Sequence, residues 1–176
     1  TGANNLIHDN AHTALSDVNA TISLAQLVMQ KQPKLFMYLL DMREKGKVRE
    51  FVTRREPFAY VSGKYESRFE KMTVSVFTKE LEDKSGAVVY DLRYDPTYWI
   101  SKTDEEILAA IDSRSEVPEE RLQFKTMQYN KCPSIAPLSV VNDECAERLS
   151  VDKSQIAKNL KCLMDNQELV DRVFKL

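Results

Sequence analysis

The sequence is poor in the residues that mark several common kinds of functional site. Its 176 residues include two histidines, three cysteines and four glycines. Cys132, Cys145 and Cys162 are widely spaced and form no CxxC pair, which excludes a recognisable zinc site. The glycines form no phosphate-binding loop. Free thiols in a reducing compartment are the simplest interpretation, so we expect a cytoplasmic protein.

Long apolar runs are also missing. No stretch approaches the roughly 20 apolar residues that a membrane span needs, and no signal peptide is recognisable, so we expect no membrane association. Apolar residues make up 43% of the chain, which is enough for a packed core. The net charge of −2 argues neither for nor against nucleic acid as a partner.

The local distribution of charge is more informative than the total. Between residues 31 and 64, nine basic residues face four acidic ones, for a net charge of +5. Such a segment suits contact with a phosphate backbone. A solvated helix face with mixed charges is the plainer interpretation of the same pattern.

Helical periodicity is clear in three parts of the chain. Apolar residues recur at helical spacing from 13 to 32, and Pro33 opens a second helix that we expect to stop at Gly46. A capping box at Thr103 opens another helix. The chain is expected to be helical from Asn142 onward, with further N-caps at Asp152 and Asp165, the last in a second capping box.

Runs of β-branched and aromatic residues alternate with these helices and predict strands. The predicted strands are residues 58–61, 72–77, 87–92 and 124–129. A turn at residues 84–86 joins the second to the third as a hairpin, which suggests a small barrel.

The stretch from residue 10 to residue 17 places His12 before a helix and Asp17 in its first turns. Alone, such a histidine is most often a surface or capping residue, and Asp17 is an ordinary first-turn acid. Together with residues 31–36 (KQPKLF) and 130–133 (NKCP), however, the stretch resembles the exonuclease I family of bacteria, within the DEDDh 3′→5′ exonucleases. The resemblance extends over nearly the whole chain.

The resemblance implies an internal fragment with an α+β fold. Residues 1–32 would be the incomplete C-terminal end of an RNase H-like exonuclease domain, including its terminal helix. Residues 33–176 would form an SH3-like small β-barrel with flanking helices. The family implies processive 3′→5′ hydrolysis of single-stranded DNA to mononucleotides by a monomeric enzyme that uses two Mg²⁺ ions.

Site residues follow from the same resemblance. His12 would be the general base and Asp17 the last metal ligand. The other three carboxylates of the family motif are absent here, so we expect this chain alone to be inactive and not to bind both ions. The candidate contacts to single-stranded DNA are Lys31, Lys34, Tyr38, Lys45, Lys47, Arg49, Lys64 and Arg68. The aromatic residues Phe58, Tyr60 and Tyr65 lie among them, and burial would remove any of these from consideration.

The family also binds the acidic C-terminal tail of single-stranded-DNA-binding protein. The candidate residues for this contact are Tyr38, Arg54 and Arg55. Glu56, Asn142 and Met164 stand at positions of that pocket that are basic in the family, which weakens the expectation of tail binding.

Two other interpretations stay open at this point. The chain could be a protein-docking module for a replication or repair partner, without direct contact to DNA. It could also belong to another DEDDh enzyme, such as a proofreading subunit or a tRNA-trimming nuclease. Those enzymes typically end soon after the helix that carries the aspartate. The ~140 residues beyond Pro33 amount to a whole further domain, which argues against this second interpretation.

Overall fold

The computed structural model describes residues 14–62, 71–111, 113, 117 and 120–176. The chain divides into two compact units, residues 1–43 and residues 44–176. The division follows Arg43. The domain boundary expected from the sequence at 32/33 stays a prediction, and the helices on either side of it pack on each other.

The first unit consists of helices α1 (Ala14–Lys31) and α2 (Pro33–Asp41). The helix expected at residues 13–32 is therefore confirmed, and Pro33 occupies the first turn of α2, where its missing N–H does not matter. No residue of α1 or α2 is buried. None of the helices that the structure describes is both long and apolar enough to span a bilayer.

The second unit combines a sheet with surrounding helices. Its helices are α3 (Lys45–Val52), α4 (Thr97–Ile100), α5 (Asp104–Ile111), α6 (Asp143–Arg148), α7 (Lys153–Asp165) and α8 (Gln167–Lys175). Its strands are β1 (Phe58–Val61), β2 (Met72–Glu80), β3 (Gly86–Asp91), β4 (Phe124–Gln128) and β5 (Ser134–Pro137). The four strands expected from the sequence are confirmed, while β5, α3 and α4 were not anticipated.

The strands form one antiparallel sheet in the order β4-β3-β2-β1-β5. The expected β2–β3 hairpin is present, and a register shift between Phe77 and Lys79 marks a bulge in it. β5 returns from far along the chain to pair with β1, with Tyr60 opposite Ile135. The edges of the sheet are therefore β4 and β5.

Both faces of the sheet are covered. On one face, Ala59, Val74 and Val76 belong to a core that includes Trp99 of α4 and Leu163 of α7. Because side chains alternate along a strand, the neighbours of these residues point to the other face. There Phe58 is buried, and its ring meets Phe51 of α3 edge to face at a centroid distance of 5.8 Å. Helix α3 thus covers the second face.

Local signals at helix ends are mostly confirmed. Thr103 and Glu106 exchange hydrogen bonds as a capping box, with the Thr103 N–H donating to the Glu106 carboxylate at 2.8 Å. The Asn142 side chain accepts from the Cys145 N–H, and Asp152 accepts from two N–H groups of α7.

Two expectations at helix ends are wrong. Gly46 does not stop a helix, because α2 ends at Asp41 and Gly46 lies in the first turn of α3. Asp165 does not cap the last helix, because it is still the final residue of α7 and pairs with Lys161 one turn earlier. The N-cap position of α8 belongs to Asn166.

Candidate nucleic-acid interface

Asp17 is the one residue of the expected catalytic pair that the structure describes, since His12 lies outside the described residues. It is exposed in the first turn of α1, where its carbonyl oxygen accepts a hydrogen bond from the Thr21 hydroxyl at 2.8 Å. Within the described residues, no three histidine, cysteine or acidic side chains are grouped so that they could hold a metal ion. Asp17 therefore has no described partner ligand in this chain.

The two basic candidates for DNA contact in the first unit, Lys31 and Lys34, are both exposed. Lys31 ends α1 and Lys34 lies in the first turn of α2, on either side of Pro33. Tyr38, also on α2, is half-buried. The negative end of the helix dipole favours a basic residue in the last turn of α1. The position of Lys31 can therefore be explained without contact to DNA.

Helix α3 carries the basic candidates of the second unit. Lys45, Lys47 and Arg49 are all exposed on it. Arg49, however, is held by Glu80 in a two-point ion pair, with Nε–Oε1 at 2.6 Å and Nη2–Oε2 at 2.9 Å. This hydrogen bonding lowers the pKa of Glu80 and raises the pKa of Arg49. Arg49 therefore fixes α3 to strand β2, and its charge is largely compensated.

Tyr129 also forms a hydrogen bond with Glu80. Its hydroxyl donates to Glu80 Oε1 at 3.2 Å, and the residue itself is fully buried. Burial first, and the charge of Glu80 second, raise the pKa of Tyr129 to about 12, so the phenol stays protonated and able to donate. The cluster of Arg49, Glu80 and Tyr129 is thus a structural clamp between α3, β2 and the turn after β4.

The two arginines that follow α3 differ in their surroundings. Arg54 pairs with Glu50 one turn earlier at 3.0 Å, and both side chains are more than half exposed. Such a surface pair contributes little stability, so Arg54 can exchange its partner. Arg55 adopts a left-handed backbone conformation with φ 60°, and its guanidinium lies 5.6 Å from the centre of the Phe77 ring.

Of the aromatic candidates for contact with DNA, the structure describes two, Phe58 and Tyr60, and their side chains differ in burial. Phe58 is 1% exposed and packs under α3, so it is excluded from contact with a ligand. Tyr60 is half-buried and lines a surface groove. Tyr65, Lys64 and Arg68 lie outside the described residues.

This groove also contains two lysines that the sequence analysis missed. We call it the edge groove: its volume is about 790 Å³, and its wall includes Tyr60, Val61, Lys125, Lys131 and Pro133. Lys125 lies on β4 and Lys131 in the turn that follows it, far from β1 in sequence. Lys125 follows the buried Phe124 on an expected strand, at a position that alternation turns away from the core, and this was the available signal. The sheet order that brings β1 and β4 to one groove depends on long-range strand pairing, which the local sequence does not show.

The fold and these surfaces define a mixed α+β domain with lysine-bearing surfaces suited to an anionic ligand. The family model described as "Exonuclease I SH3-like domain" matches residues 43–176. This match shows that the chain belongs to the exonuclease I SH3-like domain family. The family resemblance and the α+β fold expected from the sequence are both confirmed.

Individual relatives agree with this assignment. Exodeoxyribonuclease I of Haemophilus influenzae is 32% identical over 180 residues, which cover 98% of this chain and 38% of that protein. The crystal structure of Escherichia coli Exonuclease I in complex with a dA16 oligonucleotide superposes with a TM-score of 0.88 at 28% identity, covering 98% of this chain and 38% of that one. An "ExoI/SSB-Ct complex" gives a TM-score of 0.83 at 26% identity, covering 95% and 36%. The chain thus spans less than two-fifths of the length of each of these three relatives.

Proposed function

We propose that this chain is a segment of a cytoplasmic, monomeric exonuclease I that hydrolyses single-stranded DNA processively from the 3′ end to mononucleotides. In this proposal, residues 44–176 form an accessory domain that holds the strand near the catalytic core. The observation that carries the proposal is the similarity over 98% of the chain to an enzyme solved with a bound oligonucleotide.

For the chemistry, we propose His12 as general base and Asp17 as one metal ligand. A pair of Mg²⁺ ions in such an enzyme would stabilise charge on the attacking and leaving oxygens. The described residues of this chain do not fit such a pair by themselves, because Asp17 stands alone and no group of three metal-binding side chains is present among them. The site would need carboxylates from other parts of a longer enzyme, and this chain alone is expected to be inactive.

For the DNA, the proposed contacts are the exposed basic residues Lys31, Lys34, Lys45 and Lys47, together with Lys64 and Arg68, and Tyr38 as an aromatic contact. Arg49 was in the same set, but its two hydrogen bonds to Glu80 favour a structural role. Lysine contacts to phosphates release counterions, so binding by this set should weaken steeply with added salt.

For a protein partner, we propose Tyr38, Arg54 and Arg55 as contacts to the C-terminal tail of single-stranded-DNA-binding protein. The complex of a similar protein with that tail supports the partner. Arg54 is available because its pair with Glu50 is exposed. A tail peptide should therefore lose affinity when Arg54 and Arg55 are both replaced by Gln, and equal binding by the double variant would remove these residues from the site.

The catalytic proposal can be tested in a chimaera. The matching 38% of Haemophilus influenzae exodeoxyribonuclease I would be replaced by this chain, and 3′-exonuclease activity on a labelled single strand would be measured. We expect an active chimaera that loses at least a hundredfold in rate with Asp17→Asn, and comparably with His12→Ala. The control is Asp41→Asn, which changes another exposed carboxylate of the same unit. Equal rates for Asp17→Asn and the control would contradict the proposed role.

A role in protein docking alone, without contact to DNA, is the alternative. Salt separates the two, because an apolar docking surface responds weakly to salt while phosphate contacts respond strongly.

A further inference from the structure

Helix α3 carries two of the lysines proposed to contact DNA, Lys45 and Lys47, and both are exposed. The helix packs on the sheet through an apolar face, on which Val48 and Val52 are fully buried. Apolar contact has no preferred direction, so this face alone does not fix the rotation of the helix on the sheet. No side chain caps its first turn either. The places of the two lysines therefore depend on a directional contact elsewhere on α3.

Glu80 supplies that contact from strand β2. Its carboxylate oxygens accept from Nε and Nη2 of Arg49 at 2.6 and 2.9 Å, and this two-point geometry fixes direction as well as distance. Oε1 also accepts from the Tyr129 hydroxyl at 3.2 Å. The Tyr129 N–H in turn donates to the carbonyl oxygen of Ser85 at 3.0 Å. One carboxylate thus links α3, the end of the β2–β3 hairpin and the turn after β4.

Lys45 lies beside this junction. It precedes Arg49 by one turn of α3, so the two side chains share a side of the helix. Hydrogen bonds from Ser85, and more weakly the charge of Lys45, lower the pKa of Asp83 in the hairpin turn. Lys45 is therefore close to the hairpin end to which Glu80 holds the helix.

The ion pair is better suited to fixing geometry than to stabilising the fold. The side chains of Arg49 and Glu80 are 48% and 21% exposed, and an ion pair at the surface contributes little to folding. Glu80 also compensates the charge of Arg49, which lowers the positive charge that α3 offers to phosphates. For DNA binding, the carboxylate is thus unfavourable by charge and favourable by geometry.

We propose that Glu80 and Tyr129 are positioning residues for DNA binding. Acting through Arg49, they hold the two lysines of α3 at fixed places for the phosphates of a single strand. This inference rests on the proposed function, in which both lysines contact the strand. Tyr129 is fully buried and cannot touch DNA itself, so any effect of its hydroxyl on affinity is transmitted through Glu80 and α3.

The test is fluorescence anisotropy of a labelled oligothymidine with the full 176-residue chain, over a range of salt concentrations. Glu80→Gln removes a negative charge, so charge alone predicts tighter binding. Loss of positioning predicts the opposite: binding about fivefold weaker at about 0.1 M salt, with a slope of log K against log salt shallower by about 0.7, as for one lost phosphate contact. The matched control, Glu82→Gln, removes the same charge from an exposed residue of the hairpin turn and should bind at least as tightly as the unmodified chain.

Tyr129→Phe separates positioning from charge. It keeps the buried ring and removes only the hydroxyl that donates to Glu80. We expect it to weaken binding by at least about twofold with no change in net charge. Circular dichroism and the urea midpoint of each variant verify that it is folded.

Hydrogen exchange measures the geometry without DNA. In Glu80→Gln, the amides of α3 should exchange faster than in the unmodified chain, while those of α7 stay unchanged. Equal exchange of the α3 amides in the two proteins would overturn the role of Glu80 in holding the helix.

The outcomes separate this inference from the proposed function. If the chain binds DNA and Glu80→Gln binds as tightly as Glu82→Gln, the positioning roles are overturned while DNA binding stands. If the unmodified chain fails to bind DNA at low salt, both fail. Weaker binding by Glu80→Gln and by Tyr129→Phe, with Glu82→Gln unaffected, supports the inference.

Discussion

The structure describes two glycines, and replacing each by alanine should change the free energy of unfolding in opposite directions: Gly86→Ala should lower it, whereas Gly46→Ala should raise it. A Cβ on Gly86 would lie 2.1 Å from the carbonyl oxygen of Met127 and 3.0 Å from the Cα of Gln128. Both neighbours are backbone of β4, paired with β3, so no side-chain rotation can relieve the overlap. Gly46 has nothing within 4 Å of the same position and lies within helix α3.

The magnitudes follow from these contacts. Overpacking against a rigid neighbour costs about 1–3 kcal/mol and sometimes more, and we expect Gly86→Ala to destabilise the chain by about 3 kcal/mol. Alanine is better than glycine in a helix by roughly 0.5–1 kcal/mol, so Gly46→Ala should stabilise by about 0.5 kcal/mol.

Urea unfolding followed by the fluorescence of Trp99 measures both variants. Trp99 is the single tryptophan and is 4% exposed, so its emission reports the packing of the second unit. A Gly86→Ala variant within about 0.5 kcal/mol of the unmodified chain would refute the close approach of β3 and β4. A loss of about 1 kcal/mol or more in Gly46→Ala would mean that Gly46 does end a helix in a left-handed conformation.

Three further predictions concern polar contacts of the second unit. Asn159 is 2% exposed and donates to the carbonyl of Leu92 at 2.9 Å, so Asn159→Ala should cost about 2–3 kcal/mol in urea unfolding, and a loss below about 0.5 kcal/mol would contradict its role. Glu80 has a lowered pKa because of Arg49, so it contributes stability above its unfolded pKa that is lost as pH falls. Glu80→Gln should therefore unfold with a shallower dependence on pH in the acidic range, and an unchanged profile would refute the clamp. Thr103→Ala removes a capping hydrogen bond and should cost about 1 kcal/mol in thermal unfolding, whereas Thr103→Ser should be nearly neutral.

Much of the fold could be predicted where the signal is local. The capping box at Thr103 depends on residues three positions apart, and the hairpin of β2 and β3 on one short turn. Strand β5 was not predicted because it is four residues long, ends in Pro137 and pairs with β1 from a distant part of the sequence. Helix α3 was not predicted because no side chain caps its start and a glycine occupies its first turn.

The candidate site shows the same limit. Basic residues were counted correctly along the sequence, but the ion pair of Arg49 with Glu80 joins residues 31 positions apart and could not be anticipated. The edge groove depends on a sheet order that brings Tyr60 and Lys125 to one surface. The charge pattern of a sequence therefore predicts a binding surface only when the long-range contacts are known, because these contacts decide which basic side chains are already paired with acidic ones.

Our proposal that this chain holds single-stranded DNA through lysines can be tested in one measurement. This is the affinity of the unmodified chain for labelled oligothymidine across salt concentrations, with an unlabelled duplex of equal length as competitor. We expect binding that weakens with salt, with a slope of log K near −0.7 for each phosphate contacted, and poor competition by the duplex. Binding that is absent at low salt, or indifferent to salt, would contradict it.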